Sequence, residues 1–227
     1  MLLQLPPEYV GQSLYQGIKL YFWIAHLIIV FITSILFFLQ GKKLEMKSQK
    51  AMNYGYGSFF SLFGLLRIFF MLGVYFPDNG GYDFFTNLGY ISGILGVIGL
   101  LYVLETYMVP KTKKIFLIIS VIAFAICLIA LIFPGASRNL ALEFIYYLMP
   151  IAVGFIVILY VYLISKTTGI VRKKAQWVLI GLLIIVVGHM MDTSFFISAL
   201  PQVPQELAPI IMSTGIIVFL ISQFKIK

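Results

Sequence analysis

Charge is what this chain has least of. Eight acidic and 16 basic residues in 227 make it 11% charged, against roughly 25% in a water-soluble domain. That shortage excludes an ordinary soluble fold, and a 61% hydrophobic content with 21 Phe and 14 Tyr excludes disorder. Cysteine is scarcer still. The single Cys127 excludes an intrachain disulfide and a thiolate metal cluster, and its place inside an apolar run makes it a small core hydrophobe. Alternation of apolar and polar residues is missing too, which excludes a membrane β-barrel. Residues 1 to 13 carry neither a basic start nor a small-residue cleavage site, so no cleavable signal peptide is expected and the first apolar run should act as the insertion signal.

What the chain does have is apolar length, with a mean hydropathy of +1.03. Runs long enough to cross a bilayer as helices, about 20 residues each, fall near 14–39, 54–76, 86–109, 114–134, 141–164, 175–198 and 205–224. The expected fold is all-α: one domain over residues 1–227, a polytopic integral membrane bundle of seven transmembrane helices. Short connections make neighbouring helices antiparallel, and no mirrored pair of broken helices marks a secondary transporter.

The few charges set the expected orientation. Lys42, Lys43, Lys47 and Lys50 follow the first run, Lys111, Lys113 and Lys114 the third, Lys166, Arg172, Lys173 and Lys174 the fifth, and Lys225 and Lys227 the last. These alternate segments hold thirteen basic residues, while the opposite loops hold Asp78, Asp83, Arg138 and Glu206. The positive-inside bias places the amino terminus outside and the carboxyl terminus in the cytoplasm, in a cell membrane. It also reassigns the +8 net charge from nucleic acid, rejected as a partner, to topology. Asp78 and Asp83, in FPDNGGYDFF, lack the ligand density of a calcium loop and read as a solvated turn.

Helical spacing sorts the residues within the runs. Gly89, Gly93, Gly96 and Gly99 form a small-residue track for close helix packing, and Gly57, Ser61 and Gly64 do the same on the second helix. Tyr15, Lys19, His26, Thr33 and Gln40 fall on one stripe of the first helix, which is expected to face protein. Glu143, Tyr147, Pro150 and Gly154 share a face of the fifth; His189, Asp192 and Thr193 share one on the sixth; Glu206, Pro209 and Ser213 share one on the seventh. Glu105 is expected to snorkel toward the inner interface.

An ionisable group inside a membrane is costly and marks either a site or a packed ion pair. His26, Arg67, Glu143, Tyr147, His189, Asp192 and Glu206 are therefore the candidate ligand-binding or buried polar network, with Arg67 and Asp192 the expected pair. By depth, Arg67, Glu143, His189, Asp192 and Glu206, with Lys19, fall in the outer half or at the outer boundary of the bundle, and His26 near the midplane. Two histidines and a carboxylate fall short of a convincing metal site, so neither metal nor cofactor is expected.

The pattern G-x2-R-x2-A-x5-G-x6-G-x3-D, carried by Gly169, Arg172, Ala175, Gly181, Gly188 and Asp192, resembles the end of the seven-helix membrane sensor regions of prokaryotic histidine kinases. The resemblance covers about a tenth of the chain and is carried mostly by small residues. It implies detection of a signal in the membrane and its transmission to a cytoplasmic output protein. Other seven-helix families fit less well. Lys225 lies beyond the last run, where a retinal protein needs its lysine within it; Glu105-Thr106-Tyr107 lacks the arginine of the G-protein-coupled receptor triplet; and two histidines are too few for the seven-helix zinc hydrolases. The expected function is a sensor or receptor-like protein that binds a small-molecule, lipid or other amphipathic ligand in an outward-facing pocket. Pro150 with Gly181 or Gly188 would be its hinges. The alternatives are a membrane enzyme or transporter built on the same residues, and a structural or scaffolding bundle.

Overall fold

The computed structural model describes residues 17–76, 81–132 and 136–224. Tyr15, Asp78, Lys225, Lys227 and the side chains of Asp83, Cys127, Arg138 and Glu143 lie outside the described set. Within it the chain is all-helical: α1 (Ile18–Lys43), α2 (Lys47–Tyr75), α3 (Gly81–Val103), α4 (Ile115–Ile132), α5 (Ala136–Lys166), α6 (Gly169–Met191), a short α7 (Ser194–Ala199) and α8 (Leu207–Phe224). Among the described residues, four stretches are long and apolar enough to cross a membrane: Ile18–Lys43, Lys47–Tyr75, Phe84–Met108 and Leu207–Phe224. Ile115–Ile126 and Pro150–Lys166 are shorter apolar segments.

The exposed side of α1 is apolar, unlike that of a helix in water. Ile28, Ile32, Ile35 and Leu39 point outward, while His26, Thr33 and Ser34 are buried. The buried side mixes these polar groups with Trp23, Val30 and Phe37; an apolar outer ridge with the polar groups kept inside suits a hydrocarbon surround, in which polar groups must find partners inside the protein.

Six helices close a ring: α1 packs on α2, α2 on α3, α3 on α5, α5 on α6, α6 on α8, and α8 back on α1, with α4 outside against α5 and α3. Two of these contacts are backbone-close. A Cβ on Gly181 would meet the Gly215 carbonyl oxygen at 2.8 Å, and one on Gly188 would meet the Met212 amide at 2.9 Å, so α6 and α8 touch through their small residues. On α3, a Cβ at Gly89 or Gly96 would approach the carbonyl oxygens of Leu66 and Phe59 on α2 at 3.2 and 3.4 Å, whereas Gly99 faces open space. The small track of α2 receives α1: Gly57 lies under Phe38, Gly64 under Phe31, and the Ser61 and Ser34 hydroxyls bond at 2.6 Å. Gly181 and Gly188 are thus seam positions between α6 and α8.

Position 105 departs from expectation more sharply. Glu105 is only 1% exposed, inside a π-helical turn (Leu104–Met108) at the end of α3. Its two carboxylate oxygens accept the backbone amides of Phe116 and Leu117, at 3.3 and 2.7 Å. The first turn of a helix leaves amides without intrahelical partners, and in α4 a carboxylate from the preceding helix supplies them. Glu105 is a cap, and snorkelling is excluded. Glu105→Ala should cost about 1–3 kcal/mol, the usual penalty for unpaired buried amides, and hydrogen exchange at Phe116 and Leu117 should accelerate more than in Glu105→Gln, which keeps one acceptor.

The run expected to continue to residue 198 breaks after Met191. The Thr193 hydroxyl donates to the Met190 carbonyl at 2.7 Å and accepts the Phe196 amide at 3.3 Å. One side chain therefore closes α6 and caps α7, a role that Thr performs well. At the other end of α6, Gly169 takes a left-handed φ of 60°, open to glycine at no steric cost, and turns the chain into the helix.

Candidate functional site

The inward stripe of α2 runs Asn53, Tyr56, Phe60, Phe63 and Arg67, all buried, at steps of three and four residues that keep one face. Arg67 lies toward the end of the bundle opposite the basic loops, since α6 starts at its own basic cluster and reaches Arg67 only at its far end. There the guanidinium is 0% exposed and saturated on one edge. Nη1 donates to Asp192 Oδ2, and Nη2 donates to His189 Nδ1 at 2.5 Å and to Met212 Sδ at 3.3 Å. Three rings surround it, with centroids 4.9 Å (Trp23), 5.6 Å (Phe63) and 6.0 Å (Phe70) from Cζ. Cation–π attraction adds to the ion pair where water is excluded. Asp192 is the C-cap of α6 and retains 7% side-chain exposure.

His26 adjoins this cluster from α1. Its ring packs edge-on against Trp23 and Phe63, at 5.7 and 6.0 Å between centroids, and its Nδ1 shares a 3.0 Å hydrogen bond with Ser213 of α8. The guanidinium and the imidazole thus border the same two aromatic rings. Below them Phe37, Phe60 and Phe219 fill the interior, with Phe219 edge-on to both of the others at 5.9 and 5.2 Å. Beneath that layer the Tyr56 and Tyr160 hydroxyls meet at 2.5 Å and tie α2 to α5.

The candidate residues divide accordingly. Arg67, His189 and Asp192 come together, with His26 beside them. Tyr147 is 55% exposed and Pro150 is exposed on the same side of α5, so that face looks outward. Glu206 is partly exposed in the loop before α8, next to Gln205, whose Oε1 accepts a 2.8 Å bond from Lys19. The Glu143 side chain is outside the described residues. Trp23 and Met212 belong to the site without having been singled out for it, and Ser213, named on the polar face of the last helix, joins it through His26. Trp23 precedes His26 by three residues on one face, a spacing that marks it as a neighbour. Among the described residues no three His, Cys, Asp or Glu side chains converge as a metal site would require; the guanidinium fills the space between His189 and Asp192.

Comparison with known protein families, with curated proteins and with solved structures returns no match to this chain. The functional reading rests on the geometry alone.

Proposed function

We propose that this protein is a seven-helix membrane sensor or receptor-like protein. Its amino terminus is outside, its carboxyl terminus is cytoplasmic, and it signals through a separate cytoplasmic partner. The outer Arg67–Asp192–His189 bridge is its switch element. The observation that carries this reading is that the bridge joins two separately packed units, α2 with α3 and α6 with α8, each held by glycine-to-backbone contact. The tight seams make each pair move as a body, and the bridge couples the two bodies at one end. A ligand that binds differently to the bridged and parted arrangements shifts their populations. Movement of α6 carries the outer event to Arg172 and Lys173, both exposed at the basic end. Lys42, Lys43, Lys47, Lys50, Lys111, Lys113 and Lys114 are exposed there as well, in keeping with a cytoplasmic face.

A structural bundle is the second reading, and one observation favours it: the guanidinium already has its carboxylate, so no free charge waits for a ligand. Distances between spin labels at positions 50 and 172, in a chain with Cys127 replaced by Ala, separate the two. The sensor reading expects Asp192→Asn to add a second distance population between α2 and α6. A single unchanged distance in a folded Asp192→Asn protein would establish the structural bundle instead.

A further inference from the structure

The outer cluster is neutral yet incompletely bonded. Arg67 Nε, His26 Nε2 and Asp192 Oδ1 are buried and find no hydrogen-bond partner among the described residues. Nε and Nη1 belong to one planar guanidinium, and Oδ1 and Oδ2 to one carboxylate, so two of these atoms flank the same ion pair. The third lies on the imidazole that shares the Trp23 and Phe63 rings with the guanidinium. Their chemistry is specific. Arg67 Nε only donates, Asp192 Oδ1 only accepts, and His26 Nε2 does either according to which way its bond to Ser213 runs. A buried polar atom left unpaired costs about 1–3 kcal/mol, and three on neighbouring side chains of one cluster define what would satisfy them.

The complement must both accept and donate, and it must be uncharged. Arg67 and Asp192 balance each other, so an added anion or cation would stand in the interior without a counter-charge, an expensive arrangement. We infer that the outer cluster is a binding site for one neutral hydroxyl group, bridging Arg67 Nε, His26 Nε2 and Asp192 Oδ1. The hydroxyl comes from an internal water or from an uncharged alcohol. Water fits such a place with its two to four hydrogen bonds, and a ligand hydroxyl that displaces it keeps the same partners. The alcohol source rests on the sensor reading and supplies its ligand class; the water source does not need it.

Met212 reports on the site, because its sulfur touches Arg67 Nη2, and Met52 is a buried control of the same chemistry near the other end of α2. Met212 is 0% exposed and Met52 6%, so exposure alone would oxidise Met52 faster. In the full chain reconstituted in lipid nanodiscs, X-ray radiolysis, which makes hydroxyl radicals from bound water where it sits, should oxidise Met212 several-fold faster than Met52. Adding 1-propanol distinguishes the sources. A fall in the Met212-to-Met52 ratio with a rise in melting temperature assigns the site to an alcohol, and an unchanged ratio assigns it to water. Met212 oxidation no faster than that of Met52 overturns the proposal, and so does protection of Met212 by propionate or propylammonium. Failure of the sensor reading is separately visible as an unchanged spin-label distance while Met212 still oxidises first.

Discussion

Arg67→Leu lowers the unfolding free energy by about 3–5 kcal/mol, the usual cost of leaving one partner of a buried ion pair alone. The partner left behind is Asp192, whose side chain is only 7% exposed. The decisive comparison is the double variant. Arg67→Leu with Asp192→Leu removes both charges, and replacing a buried pair by apolar groups is often neutral or stabilising. Most of the lost stability should therefore return, measured by thermal or denaturant unfolding in the same detergent. If the double variant is instead as unstable as Arg67→Leu alone, the guanidinium contributes through its cation–π contacts with Trp23, Phe63 and Phe70 more than through its charge partner. Restored stability without ligand response would also separate what the bridge does for the fold from what it does for function.

The second large effect concerns the α6–α8 seam. Gly215→Leu places a branched side chain where even a Cβ would meet the Gly181 carbonyl oxygen at 2.7 Å and the Ile185 amide at 2.8 Å. Backbone cannot yield as a flexible side chain can, so the helices must part. Overpacking of this kind costs about 1–3 kcal/mol, occasionally more, and parting also loosens the Met212 and Ser213 contacts to Arg67 and His26. Gly154→Leu is the matched control, because nothing lies within 4 Å of a Cβ there. Unfolding midpoints of the two variants should differ widely; similar midpoints would mean that the seam is not tight.

Much of this arrangement is legible in the chain because lipid leaves few solutions for polar groups. A charge as deep as Arg67 requires a counter-charge, and few acids lie at its depth, which makes Asp192 its natural partner before any fold is known. The α1 stripe is readable for the same reason: His26 and Thr33, seven residues apart, must share a protected face, and both are buried. The limits are equally physical. Helical spacing shows which residues share a face but leaves open which way that face turns, so the Tyr147 side of α5 looks outward although it carries polar groups. Hydropathy cannot distinguish a snorkelling Glu105 from one that caps the next helix, because the amides it serves belong to Phe116 and Leu117, whose own side chains are apolar. Glycine spacing likewise leaves open what packs against the small face, and the Gly215 carbonyl facing Gly181 is not foreseeable from it.

The ion pair that links α2 to α6 joins positions 125 residues apart in sequence, and that separation matters during synthesis. At about 5–20 residues per second, Arg67 is made roughly 6–25 seconds before Asp192 exists. While the chain grows, α2 carries a cation whose counter-charge has not yet been made. Of its partners in the folded protein, Trp23 and Phe63 precede it in the chain, while His189, Asp192 and Met212 follow it by more than a hundred residues. The arginine that ties α2 to the end of α6 in the finished fold thus waits for 125 more residues before it is paired.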